Sequence, residues 1–80
     1  MSSPKQRKIK EKVVKIYPTA KLRRRYGAYY RVFRNRELWL AEKKALLYRA
    51  PRDGWFRNAD KAWSYAWQEI QQDFIERLMN

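Results

Sequence analysis

Cysteine and histidine are both absent from the sequence, and these absences exclude several kinds of function. Without cysteine, the chain can form neither a disulfide nor a thiolate metal site. Without histidine, it lacks the side chain that most often exchanges protons near neutral pH. Cysteine is also the best side-chain nucleophile, so its absence removes that catalytic group as well. We therefore predict that the protein is not an enzyme and has no catalytic residue. The absence of cysteine is also compatible with the cytoplasmic location that we expect.

Glycine and long apolar runs are scarce as well. The two glycines, Gly27 and Gly54, lie in no phosphate-binding loop and no dinucleotide-binding motif, so we expect no cofactor. The sequence contains no run of about 18 apolar residues that would span a membrane. No apolar segment typical of a secretory signal follows the basic N-terminus, so we do not expect export.

One group of carboxylates has a spacing that could hold a metal ion. Glu69, Asp73 and Glu76 fall on neighbouring turns of a predicted helix, where their oxygens could bind Mg²⁺. The alternative is a solvated helix face on which Asp73 pairs with Arg77, four residues later. We favour this alternative and predict no metal site.

Acidic residues are almost missing from the first half of the chain. Residues 1–36 hold 13 of the 20 Lys and Arg residues and only one of the eight acids, Glu11, which is a balance of +12. Residues 37–80 hold the other seven cations and the other seven acids, and these cancel. The net charge therefore lies entirely in the first half, which favours a polyanionic partner. The alternative is a solvated basic face that only maintains solubility.

The basic residues are concentrated together with aromatic rings in residues 21–36, KLRRRYGAYYRVFRNR. This stretch has the composition of β-strands, and Gly27 within it marks a bulge or a bend. Because cations neutralise phosphates and rings stack on bases, we predict a nucleic-acid surface, on which Tyr29, or alternatively Tyr30, stacks on a base. For any single ring, packing in the core is the alternative. The predicted nucleic-acid-binding residues are Lys21, Arg23, Arg24, Arg25, Tyr29, Arg31, Arg34 and Arg36.

The residues before this stretch divide into two segments. Residues 1–12 are polar and charged, which predicts a disordered basic arm, followed by a single small domain over residues 13–80. Residues 13–17, VVKIY, are β-branched and predict a first strand that Pro18 ends. The core of so short a chain is small, so a homodimer is compatible with its length.

Residues 37–49 fit either of two structures. If Asn35 and Arg36 form a tight turn, these residues make two further strands of a hairpin. If Asn35 is instead an N-cap, Leu, Ala, Glu and Lys favour a helix that ends before Pro51. We favour the hairpin, because the turn would follow a strong strand.

The C-terminal third has the clearest pattern. Residues 51–54, Pro-Arg-Asp-Gly, predict a turn, and Asn58 is a favourable N-cap for the helix that follows. An apolar stripe with spacings of three and four predicts one long helix. We therefore predict an α+β fold in which a small antiparallel sheet of two to four strands packs against this helix. The stripe consists of Ala59, Ala62, Trp63, Ala66, Trp67, Ile70, Phe74 and Leu78.

The segment GWFRNADKAWSYAWQEI, after YYRVFRNRELWLAEK, resembles the sheet-then-helix ending of small basic accessory proteins of bacteriophages and prophages. The likeness covers about 50 residues and transfers no functional residue. It implies a protein that binds nucleic acid or captures a host protein.

Two function classes follow. The first is a nucleic-acid-binding protein, for DNA or RNA, with low sequence specificity, because no base-reading motif is present. The second is an interaction factor or inhibitor that docks on an acidic surface of a host protein, such as a nucleic-acid enzyme. A weaker alternative is that the basic N-terminal segment lies on anionic lipid through Ile9, Val13 and Ile16.

Overall fold

A computed structural model of the chain describes residues 4–45 and 54–79. It confirms the predicted α+β fold, because a two-stranded antiparallel sheet packs against a long C-terminal helix, with two shorter helices beside them. The elements in order are α1 (Pro4–Ile16), β1 (Lys21–Arg25), β2 (Tyr29–Phe33), α2 (Arg36–Ala45) and α3 (Ala59–Met79).

Helix α1 replaces two of the predicted features. Residues 4–16 are helical, so the strand predicted over 13–17 is wrong, and a helix stands where the disordered arm was expected in the described part of residues 1–12. Val13 is 0% exposed and Ile9, four residues earlier, packs against the same core. This burial outweighs the strand preference of the β-branched residues, and Lys and Arg are themselves good helix formers.

The hairpin of β1 and β2 is the centre of the fold. Arg25 pairs with Tyr29 next to the turn, and Lys21 pairs with Phe33 at the open end. Gly27 lies in the turn that joins the strands, with φ +88°, and is therefore neither a bulge nor a bend within one strand. Tyr26 before it also has a positive φ, of 53°, which is unusual for a large side chain.

Helix α2 contradicts the hairpin predicted for residues 37–49. Asn35 caps the helix, because its Oδ1 accepts a hydrogen bond from the Leu38 N–H at 2.8 Å and its backbone oxygen accepts one from Trp39 at 3.3 Å. The Asn side chain thus satisfies a free N–H of the first helical turn, and the helical alternative is correct over residues 36–45. Residues 46–49 lie outside the described part.

Helix α3 begins at its predicted cap. The Oδ1 of Asn58 accepts hydrogen bonds from the N–H groups of Asp60 at 2.7 Å and Lys61 at 3.4 Å. The predicted stripe is buried as far as Ile70, which is 1% exposed, whereas Phe74 is 46% exposed and Leu78 87%. The helix therefore extends beyond the core. Of the turn predicted before it, only Gly54 lies in the described residues, with φ +85°.

The two faces of the hairpin have different neighbours. Leu22, Val32 and Tyr30 lie on the face that contributes to the core with α1 and α3. Phe33 lies on the other face, where the rings of Trp39 and Trp55 meet it edge-on at 5.2 and 5.8 Å between centroids. The second face is therefore partly covered by α2 and Trp55, and not left wholly open as a sheet packed on a single helix would be.

A short third backbone segment adjoins β2. Phe56 and Tyr30 exchange two backbone hydrogen bonds, of 2.5 and 2.7 Å, which form an isolated antiparallel bridge. This bridge holds the start of α3 against the hairpin. None of the helices in the described ranges is both long and apolar enough to cross a membrane.

Candidate nucleic-acid interface

The strand β1 divides its three consecutive arginines between two faces. Arg23 and Arg25 share the face of Phe33, because side chains two residues apart on a strand point the same way. Arg24 pairs with Tyr30, which faces the core side, and is itself exposed. The structure thus brings two of the three arginines together and separates the third.

Trp39 of α2 contacts both Arg23 and Arg25 on the hairpin face that carries Phe33. The guanidinium carbon of Arg23 lies 4.9 Å from the centre of the Trp39 ring, and that of Arg25 lies 4.5 Å from it. Cations at these distances are attracted by the negative face of the ring. Trp39 therefore holds the positive charges of these two side chains close together.

A cleft of about 520 Å³ opens between β1 and the first turns of α2. Lys21 and Arg23 line it from the strand, and Arg36 and Lys43 line it from the helix. None of the described residues that line the cleft is acidic. Its apolar wall consists of Phe33, Trp39 and Leu40, and Thr19 and Asn35 complete the lining.

The helical cations are placed by the period of α2. Arg36 and Lys43 are seven residues apart, which is two helical turns, so both lie on the side that faces the cleft. Arg36 stands in the first turn, where the partial positive charge of the helix end is unfavourable for a cation. Its position there therefore does not stabilise the helix, but it adds to a positive potential that favours an anion.

Arg31 lies on the same strand face but is already partnered. Its Nη1 is 3.5 Å from Oε1 of Glu42, and its guanidinium carbon lies 5.2 Å from the ring centre of Phe33. The same Glu42 oxygen accepts a hydrogen bond from the indole N–H of Trp55 at 3.3 Å. Arg31 thus joins β2 to α2, and Glu42 compensates its charge.

Arg34 is directed away from the cleft towards α3. Its Nη1 donates a hydrogen bond to Oδ2 of Asp73, and its guanidinium lies 5.5 Å from the ring centre of Tyr17. Burial opposes the charged form, but the hydrogen bond to Asp73 and the charges of Asp73 and Glu69 outweigh it, so the pKa of Arg34 is raised. Asp73 therefore pairs with Arg34, and the predicted pair with Arg77 is not formed.

Tyr29, the ring chosen for base stacking, is half-buried at the closed end of the hairpin. The ring of Tyr26 meets it edge-on at 6.4 Å, and the guanidinium of Arg57 lies 5.3 Å from its centre. Tyr29 thus belongs to an aromatic group at the turn, at the end of the hairpin away from the cleft.

Helix α1 carries a second set of cations. Lys10 lies 5.4 Å from the ring centre of Trp63, and Lys12 lies 5.6 Å from that of Trp67, so both lysines pack along α3. The alternative in which α1 lies on lipid loses two of its three apolar side chains, because Val13 is fully buried and Ile9 packs against the core, whereas Ile16 is 39% exposed.

The predicted set is thus only partly brought together. Lys21, Arg23 and Arg36 share the cleft and Arg25 adjoins it, whereas Arg24, Arg34 and Tyr29 lie elsewhere and Arg31 is paired with Glu42. Sequence reasoning missed Lys43 and Trp39. The spacing of seven residues from Arg36 to Lys43 would have indicated Lys43, but only if residues 36–45 had been read as a helix.

Two further results bear on the site. Within residues 4–45 and 54–79, no three acidic side chains are grouped so that they could share a metal ion. Comparison of the chain with known protein families, with curated proteins and with solved structures found no match.

Proposed function

We propose that this protein binds nucleic acid without catalysing a reaction and with little preference for sequence. The observation that supports the proposal is the cleft of β1 and α2, in which four cations and an apolar wall face the same space and no described lining residue is acidic. Phosphates need the cations and bases suit the aromatic wall, so the two components of a nucleic acid both find partners.

The charges that would carry the affinity differ from the predicted set. Arg31 and Arg34 are each compensated by a carboxylate and contribute little. Among the described residues, no carboxylate forms an ion pair with the cleft cations Lys21, Arg23, Arg36 and Lys43, so these cations would supply the affinity, with Arg25 beside them on Trp39. Because such contacts are made with the backbone of the polymer, they supply affinity without reading the bases.

The test is a titration of a labelled oligonucleotide at several salt concentrations with the Lys21→Ala variant. Each phosphate contact releases counterions, so log affinity should fall linearly with log salt, and the loss of Lys21 should reduce the slope by about one unit. The control is Lys61→Ala, which removes the same charge from an exposed position on α3 outside the cleft and should leave the slope unchanged.

Three results would contradict the proposal. One is the absence of binding to any oligonucleotide at about 50 mM salt, and another is an affinity that does not depend on salt. The third is an equal effect of Lys21→Ala and Lys61→Ala, which would contradict the cleft as the site of binding, because binding would then follow net charge alone.

A second candidate function is the interaction factor that docks on an acidic host protein, as the likeness to phage accessory proteins implies. The observation that favours it is the exposed apolar end of α3, where Phe74 and Ile75 are half-exposed and Leu78 and Met79 almost fully exposed. Apolar side chains grouped in this way are typical of a protein interface. A single stoichiometric protein partner that remains after nuclease treatment would favour this function, and the loss of every partner would count against it.

Both candidates are consistent with a protein that acts in the cytoplasm, as predicted from the lack of cysteine. A homodimer also stays a prediction, and the exposed apolar end of α3 is the surface that a second copy would cover. Light scattering of the purified protein at several concentrations would test it.

A further inference from the structure

We infer that the cleft between β1 and α2 takes an unpaired nucleotide, so that the protein binds single-stranded nucleic acid in preference to duplex. This inference rests on the proposed function and deepens it, because it names the form of the polymer and the place where one unit of it is held.

The first argument is the position of the cations on two opposite walls. Lys21 and Arg23 come from the strand, Arg36 and Lys43 from the helix, and the cleft lies between them. A phosphate that enters the cleft is therefore approached by positive charge from both sides. The phosphates of a duplex lie on the outside of a wide, stiff cylinder, whereas a single strand can bend so that one phosphate enters a depression.

The second argument is the apolar wall. Phe33 is buried, Trp39 is half-buried, and Leu40 is 47% exposed beside them. Cations alone would suffice to bind the outside of a duplex, whose bases are stacked and cannot reach such a wall. An unpaired base can leave its stack and pack against the part of Trp39 that lines the cleft, or against the plane of Arg23, one of the two arginines that lie on this ring.

The third argument is a hydrogen-bond donor at Arg23. Its Nε is buried and has no acceptor among the described residues. A buried donor without an acceptor is unfavourable in the free protein, and Arg23 is a lining residue of the cleft, so a rotation of its side chain would bring this N–H to a phosphate or base oxygen there. The volume of about 520 Å³ is within the range of sites that hold small organic groups, and thus suits one nucleotide unit and not a folded domain.

The experiment compares two charge reversals on neighbouring residues of α2. Lys43 lines the cleft, whereas Lys44 is also exposed but does not line it. Lys43→Glu and Lys44→Glu produce proteins of identical net charge. Each variant and the unchanged protein are titrated against a single-stranded oligonucleotide of about 16 nucleotides and against the duplex of the same sequence. Circular dichroism of each variant verifies that it is folded.

We expect the unchanged protein to bind the single strand at least about tenfold more tightly than the duplex, since only the single strand can use the apolar wall. Lys43→Glu should weaken single-strand binding by about tenfold, and Lys44→Glu by about threefold or less, because Lys44 does not line the cleft and acts on the bound strand only through a field that salt weakens. A strand of the same length with abasic sites in place of bases should bind about tenfold more weakly than the normal strand.

The outcomes separate this inference from the proposed function. Equal affinity for single strand and duplex overturns the inference and leaves nucleic-acid binding intact. Equal effects of the two charge reversals, or equal affinity for the normal and the abasic strand, likewise remove the cleft as the site of an unpaired nucleotide. The absence of binding to every oligonucleotide at low salt overturns both.

Discussion

Arg34 and Asp73 connect the end of the hairpin to α3, and the strength of this single contact is measurable. The side chain of Asp73 is 41% exposed, so solvent screens the pair and its coupling energy should be only about 0.5–1 kcal/mol. A double-mutant cycle of Arg34→Ala and Asp73→Ala, followed by urea unfolding, measures this value. The matched control is the cycle of Asp73→Ala with Arg77→Ala, for which we expect no coupling. A larger coupling for Asp73 with Arg77 would contradict the contact.

The ion pair of Arg34 affects how the folding stability depends on pH. Its pKa is raised in the folded protein, so the charged form is favoured by folding. The contribution of Arg34 to stability is therefore fully present below the ordinary arginine pKa and is lost only as the pH rises through the raised value, in strong alkali. A change in stability with pH in the neutral range therefore cannot come from the protonation of Arg34.

Single residues were predictable where their role is local. Asn58 was recognised as an N-cap because capping needs only its own side chain and the N–H groups that follow it. The partners of Arg31 and Arg34 were not predictable, because Glu42 and Asp73 come from helices whose position depends on the whole fold. Its charge alone makes an arginine a candidate for binding an anion. Whether it is free to bind one depends on whether a carboxylate from a distant part of the chain already pairs with it.

At the scale of the element, the cap of α3 gives a direct prediction. Asn58→Ala removes the acceptor for two N–H groups and should lower the free energy of unfolding by about 1 kcal/mol. Asn58→Asp retains the acceptor and adds a negative charge at the positive end of the helix, so its stability should equal or exceed that of the unchanged protein.

Urea or thermal unfolding of the two variants provides the measurement. If Asn58→Asp destabilised the protein as much as Asn58→Ala, the side chain would not act as a cap. The comparison is sensitive because both substitutions leave the buried residues of α3 untouched.

The elements differ in how well the sequence predicts them. The 21 residues of α3 contain enough turns for the helical period to be recognised, whereas α2 has ten residues, which also alternate like a strand. In α1, the β-branched residues were read as a strand, although the spacing of four from Ile9 to Val13 is helical. Short elements therefore depend on what they pack against, and that packing is not visible in their own residues.

For the whole molecule, two residues of the apolar stripe of α3 test where along this helix the core ends. Ile70 is 1% exposed and Phe74, one turn later, is 46% exposed. Ile70→Ala should lower the free energy of unfolding by about 2–5 kcal/mol, because it leaves a cavity in the core. Phe74→Ala removes a larger side chain but should cost less than about 1 kcal/mol.

Urea unfolding of both variants measures the difference. A small domain has a total stability on the order of 5–10 kcal/mol, so Ile70→Ala is expected to be close to unfolded at elevated temperature. A greater loss for Phe74→Ala would mean that a partner or a second copy covers the end of α3 in solution.

The architecture was predictable because the long helix and the strand-rich segment were recognised, and together they define the α+β class. The cleft was not predictable, because it forms between β1 and α2, and residues 37–49 were read as a hairpin. The excess of positive charge in the first half indicated a polyanion, but only the folded arrangement shows which cations share one space.

The strand β1 has one further consequence. It lies at the border of the sheet, and in the part of the chain that the structure describes no strand pairs with its outer side. Unpaired edge strands can form hydrogen bonds with the same edge of another copy of the chain. The sequence of β1, KLRRR, places four cations at this edge, and they repel a second copy. A bound polyanion would neutralise this repulsion. Several copies of the protein bound next to one another on the same polyanion would then be able to pair through their β1 edges, whereas unbound copies would stay apart.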